Sequence, residues 1–98
     1  MARAEILERH LSLLGMKAED RVTGAKGVIT SISFDLYGCI QAILTPSVDK
    51  DGKRELGKWY DIPRLKITDK KRVMPLPEYE VYAAVANGEK GPAEKPVQ

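Results

Sequence analysis

Cysteine is almost missing from this chain: Cys39 stands alone, which excludes an internal disulfide and fits a reducing compartment, the cytoplasm being the natural one. Histidine is as scarce. His10 has no second imidazole or thiol at ligand spacing, so the residues for a His/Cys metal site are lacking. Long apolar stretches are absent too, the longest running only over positions 81–86, against the about 20 residues that a membrane-spanning helix needs. The opening M-A-R-A-E-I-L-E-R interrupts its apolar positions with charges and lacks the continuous apolar centre of a secretory signal, so the expectation is a protein that stays in the cell that makes it.

What is present suits one small soluble unit. Ninety-eight residues, 43% hydrophobic and 31% charged, make a single domain with a modest core and little room for a deep active-site cavity. The net charge of +2 conceals a bias along the chain. Residues 1–20, 21–48, 49–72 and 73–98 carry −1, +1, +4 and −2, so the positive surplus is concentrated in one segment.

The pattern of apolar residues predicts an opening helix, then strands. Ala4, Leu7, Leu11 and Leu14 fall on one helical face with Ile6 and Leu13 beside it, Glu5 and Arg9 are a favourable i,i+4 pair, and Gly15 stands where a left-handed cap is wanted. About three turns are too short to be stable alone, so this helix must pack on the strands, most simply at an open end of a barrel. A first strand is expected over 20–23, with Gly24-Ala25-Lys26-Gly27 as the turn of a hairpin. On the returning strand Val28, Ile32 and Phe34 form an apolar face, and Ile29, Ser31 and Ser33 a mixed one. Asp35-Leu36-Tyr37-Gly38 reads as the next turn. It leads to a strand over 39–45 in which Ile40, Ala42 and Leu44 make the core face and Cys39, Gln41, Ile43 and Thr45 the other.

Pro46 ends that strand and Asp49-Lys50-Asp51-Gly52 marks a solvent loop. The extended pattern returns over 56–62, with Tyr60 and Ile62 on one face and Trp59 and Asp61 on the other. Pro63-Arg64 interrupts it with one helical turn before Leu65 and Ile67 complete a last strand. Four or five antiparallel strands of this length close into a small, partly open barrel of SH3-like type. The organisation is therefore an N-terminal helix and connection over 1–18, the barrel over 19–68, a linker and short helix over 69–88, and a disordered tail over 89–98. Tyr79, Tyr82, Val85 and Ala86 set the helical spacing of that short C-terminal helix, with Pro77 near its start and Asn87-Gly88 near its end.

Little in the chain points to catalysis. His10 lies among leucines and is explained by packing its ring at a boundary. Cys39 has no positive helix terminus beside it to lower its pKa, and no nucleophile, base and orienting group come together. Asp49-x-Asp51-Gly52 opens like a calcium loop, yet its twelfth position, Tyr60, is not the bidentate glutamate that the loop requires. Gly24-Ala25-Lys26-Gly27 lacks the long loop and Lys-Ser/Thr ending of a P-loop, so hairpin geometry accounts for its glycines. The reading is of a protein that is not an enzyme, needs no cofactor or metal and has no small-molecule substrate or membrane.

Binding remains, with two classes of partner. For a protein partner or self-association the candidate residues are Trp59, Tyr37, Ile43 and Arg64, on a second strand face that also includes Ile29. For nucleic acid they are Lys53, Arg54, Lys58, Lys66, Lys70, Lys71 and Arg72, a basic segment interleaved with Trp59 and Tyr60 as single strands require, though broken by five acids. A strand edge exposed to solvent also favours lysine.

Two resemblances bear on the choice. The string G-x-x-G-V-I-T-S-I of the first hairpin resembles the KOW motif, a segment of about a dozen residues in SH3-like domains of ribosomal proteins and transcription elongation factors, whose members bind RNA or protein. Over 20–67 the succession D-R-V-T-G-A-K-G-V-I-T-S-I, G-C-I-Q-A-I-L-T-P, V-D-K-D-G-K and W-Y-D-I-P-R-L resembles a group of small proteins encoded by tailed phages and prophages. The second likeness implies phage origin and transfers no site. Together they imply an SH3-like binding module located in the cytoplasm of a bacterial host or in the virion. A structural or adaptor role, or attachment to a host protein, is the first expectation, and a KOW-like nucleic-acid-binding regulator is the alternative.

Overall fold

The computed structural model describes residues 2–79. One helix, α1 (Arg3–Leu11), precedes five strands: β1 (Lys17–Asp20), β2 (Lys26–Phe34), β3 (Ile40–Thr45), β4 (Lys58–Asp61) and β5 (Leu65–Ile67). All pairings are antiparallel, in the order β4-β3-β2-β1-β5. The two edge strands are joined by the single 3-10 turn Ile62–Arg64. A flat sheet of this order would hold its edges about 19 Å apart, whereas the chain from Asp61 to Leu65 reaches at most about 14 Å. The sheet must therefore curl toward a barrel, and the fold is the mainly β one expected.

The core sits inside that curl. Ala18, Ile29, Ala42 and Leu44 are buried, and Tyr60, Leu65 and Ile67 from the two edge strands and Ile62 from the turn between them close around this core. The core face of β3 is the expected one. That of β2 is not, because an extra residue, Thr30, interrupts the ladder between Ile29 and Ser31. Ile29 faces Leu44 and Ile32 faces Ala42, so both join the core despite their odd spacing. The expectation that Ile29 belongs to the exposed second face is overturned by this bulge.

Two further boundaries differ. The first strand is Lys17–Asp20, earlier than 20–23, and residues 21–23 form the turn that expectation had placed later. Charged neighbours disguise this strand, in which Ala18 and Asp20 point inward and Lys17 and Glu19 outward. The helix stops at Leu11, and residues 12–15 turn the chain so that Leu13 and Leu14 reach the core from outside the helix. Ala4 and Leu7 consequently stay exposed, and Ile6 and His10 make the half-buried side of α1. His10 packs its ring edge-on to Phe34, with centroids 5.6 Å apart, and its Nδ1 donates to the Ile6 carbonyl at 2.7 Å.

Gly15 takes the left-handed conformation expected of it (φ +84°) and donates its N–H to the Ile29 carbonyl at 2.8 Å. The segment after β5 returns here. Val73 N–H donates to the Gly15 carbonyl at 2.8 Å, while Arg72 donates Nε to the Leu14 carbonyl at 2.9 Å and Nη2 to that of Ser12 at 2.5 Å. Residues 68–78 form no helix or strand. Apart from Tyr79, the short C-terminal helix and the tail over 89–98 lie outside the described residues.

Of the two hairpin glycines only Gly24 uses positive φ (+79°). Gly27 lies within β2, where a Cβ would stand 2.5 Å from the Thr45 carbonyl oxygen and 3.1 Å from the nitrogen of Pro46. Because both obstacles are backbone, Gly27→Ala is expected to lower Tm by roughly 5–10 °C in a thermal melt. An unchanged Tm would show that β2 and β3 separate there at little cost.

Candidate functional site

The outward face of the curled sheet is set by the register. Ser31, Ile43 and Trp59 lie side by side across β2, β3 and β4, and Ser33, Gln41 and Asp61 form the next row. Trp59 is 48% exposed, an indole lying beside a half-buried isoleucine on an edge strand. Gly57 makes this fit: a Cβ there would fall 2.5 Å from Ile43 Cγ2, so the absence of a side chain lets the edge strand lie against Ile43. One row further, Gln41 Nε2 donates to Asp61 Oδ1 at 3.0 Å.

Beyond that row stands the β2–β3 hairpin, whose tip presents Leu36 (91% exposed) and Tyr37 (88%). The tip is ordered by one carboxylate. Asp35 Oδ1 accepts from the backbone N–H of Tyr37 at 2.9 Å and of Cys39 at 2.8 Å, while Gly38 supplies φ +90°. Asp35 also raises the pKa of the neighbouring Cys39 thiol, and Asp61 adds to the effect, so the thiol is held in its protonated, poorly nucleophilic form. Trp59 and Ile43 thus share the outer strand face, and Tyr37 stands at the exposed hairpin tip. Leu36 was missed, although an apolar residue in the middle of a turn is itself a signal.

Arg64 lies elsewhere. It leaves the 3-10 turn toward Asp20, the fully buried last residue of β1, and grips its carboxylate with two hydrogen bonds, Nε to Oδ1 at 2.9 Å and Nη2 to Oδ2 at 2.6 Å. The Thr23 hydroxyl and N–H also donate to Oδ2, and the Val22 N–H donates to Oδ1 at a longer 3.4 Å. The guanidinium rests 5.3 Å from the Tyr60 ring centroid. Its hydrogen bonds hold the Asp20 pKa far below the usual carboxylate range, helped by Thr23 and Val22 and opposed by burial. Arg64 is thereby occupied by the scaffold, and sequence reading missed Asp20 altogether because the partners are far apart in the chain.

The basic residues are dispersed. Lys53 and Arg54 are exposed in the loop before β4, Lys58 is exposed at the start of that edge strand, and Lys70 and Lys71 come after β5. Lys66 stands in register with Glu19, which also pairs with Lys26 at 3.7 Å, so this outer row alternates in sign. Arg72 is half-buried and holds the turn after α1. Among the described residues no group of His, Cys, Asp and Glu is placed to hold a metal ion, and no helix is long and apolar enough to cross a membrane.

Comparisons with known protein families, curated proteins and solved structures found no match for this chain.

The Asp20 pair fixes the sign of the acid response. Its folded-state pKa is depressed below the unfolded value of about 4, so its contribution is complete above roughly pH 5 and is lost as pH falls toward the folded value. Asp20→Asn is expected to lower Tm by roughly 10 °C or more at neutral pH, and to flatten the dependence of Tm on pH below 5. Equal acid sensitivity in variant and wild type would show that other carboxylates govern the response.

Proposed function

We propose that the chain is a non-catalytic protein-binding module of SH3-like type, encoded by a phage or prophage, acting as a structural component or adaptor of the particle or as a binder of a host protein. The observation that carries this reading is the exposure of apolar groups on ordered backbone: Trp59 beside Ile43 on the outer strand face, and the Leu36-Tyr37 tip on a turn fixed by Asp35. A turn whose backbone is already fixed loses less freedom when a partner covers it, and aromatic groups dominate interface energies. A standard interface covers about 800 Å² of each partner.

The alternative, a nucleic-acid-binding regulator, draws on Lys53, Arg54, Lys58, Lys70 and Lys71, all of them exposed. Against it stand the structural engagement of Arg64 and Arg72 and the alternation of Lys66 and Lys26 with Glu19. Salt separates the readings, because neutralised phosphates release counterions.

Light scattering with added single- and double-stranded nucleic acid at low ionic strength is expected to show no complex. A complex that dissolves steeply with salt would put the regulator reading first. Trp59→Ala is expected to abolish retention of the protein partner or self-association while lowering Tm by less than about 4 °C, since the indole is half exposed. Full retention by both Trp59→Ala and Tyr37→Ala would remove this face from the binding surface.

A further inference from the structure

The helix α1 stands apart from the rest of the fold. None of its residues is buried and none belongs to the apolar cluster around the core, to which the chain first contributes with Leu13 and Leu14, after the helix has ended. Nine residues, about 14 Å of helix, are too short to be stable alone in water. Two contacts tie its C-terminal end to the barrel: His10 meets the ring of Phe34, and the chain that follows is gripped by Arg72.

The arginine reaches both sides of one step in the chain. Its Nε bond goes to the carbonyl of Leu14, whose side chain packs on the core, and its Nη2 bond to the carbonyl of Ser12, the residue that caps the helix. Gly15 makes room for this. A Cβ there would stand 2.8 Å from Arg72 Cγ, so the arginine stem lies over the glycine while Val73 N–H donates to the Gly15 carbonyl. A cation among the last carbonyls of a helix also suits the helix dipole. Arg64 holds a buried carboxylate, whereas Arg72 holds neutral carbonyls, and a bond between opposite charges is stronger than one between a charge and a neutral carbonyl. The bond to Ser12 is the exposed one of the pair and exchanges most readily with water.

We propose that α1 is a lid that opens as a unit about the step from Ser12 to Leu13, with Arg72 as its latch. Closed, the guanidinium spans the step. Open, it keeps Leu14 and releases Ser12, the helix leaves with His10, and the ring of Phe34, already 46% exposed at the end of β2, is uncovered. The coupling is reciprocal: whatever lifts the chain at Arg72 and Val73 loosens the lid, and whatever lifts the lid loosens the chain there.

Native-state amide exchange of the full-length chain, read by NMR in low denaturant, provides the test. The amides of residues 7–12 are expected to exchange through one common opening, at least about tenfold more frequent than that of Ala42 and Leu44 in the core, and Arg72→Ala is expected to speed their exchange about tenfold or more. Three results would each overturn the proposal. Protection that decays residue by residue from Arg3 would be fraying rather than a lid. A single opening shared with β3 would make α1 part of the unit in which the barrel unfolds. Exchange of residues 7–12 unmoved by Arg72→Ala would remove the latch. The first two are read on the wild-type protein and stand even if the variant fails to fold.

Discussion

The curl that the short β4–β5 connection imposes is held in place by the pair of hydrogen bonds between Arg64 and Asp20. A carboxylate without solvent exposure at the end of β1 is costly unless its oxygens are satisfied, and here Arg64, Thr23 and Val22 surround it. The same contact joins parts of the chain that hydrophobic packing alone would leave free to slide: the turn after β1 and the 3-10 turn that carries the chain from β4 to β5. Arg21 N–H donates to the Arg64 carbonyl at 2.7 Å, so backbone and side chain act together. With both edges tied, the sheet keeps its curl over a core in which the buried aliphatic side chains are Ala18, Ile29, Ala42 and Leu44.

That closure gives the outward side its character. Trp59 is carried by an edge strand only four residues long, between an open loop and the 3-10 turn. Fixing the turn fixes the end of the strand, and Gly57 lets its beginning lie against Ile43. The Leu36-Tyr37 tip is held independently by Asp35. Exposed aromatic groups carried on ordered backbone are suited to recognition of another protein, where the loss of freedom on binding is a main opposing term. The cationic side chains are distributed differently, the two best-placed arginines being committed to the backbone and to Asp20, and the lysines spread over loops and both sheet edges.

How much of this was legible in the sequence depended on whether the signal was local. The turns were readable because their chemistry is contained in a few residues: Asp35 with Gly38, Asp49 with Gly52, and Pro63 at the 3-10 turn. The core face of β3 was readable because its alternation runs unbroken. In β2 the same rule failed at Thr30, since one inserted residue shifts the parity of everything before it and no composition marks the insertion. β1 was displaced because a buried aspartate looks like a surface residue until its arginine is known. Of the candidate contact residues, Trp59 and Ile43 were placed on one strand face by alternation, and Tyr37 in a turn by its neighbours. Arg64 was grouped with them only because an arginine's partner across the fold leaves no trace in its neighbours.

Asp20 as a buried, ionised carboxylate clamped by Arg64 is open to direct observation, through its carboxyl ¹³C chemical shift followed by NMR as a function of pH. This resonance is expected to stay at its ionised position through the range in which ordinary aspartates titrate, about pH 4, and to move only at the onset of acid unfolding. A midpoint of about 4 in the folded protein would contradict the clamp, showing that the carboxylate reaches solvent and that Arg64 is free for other partners.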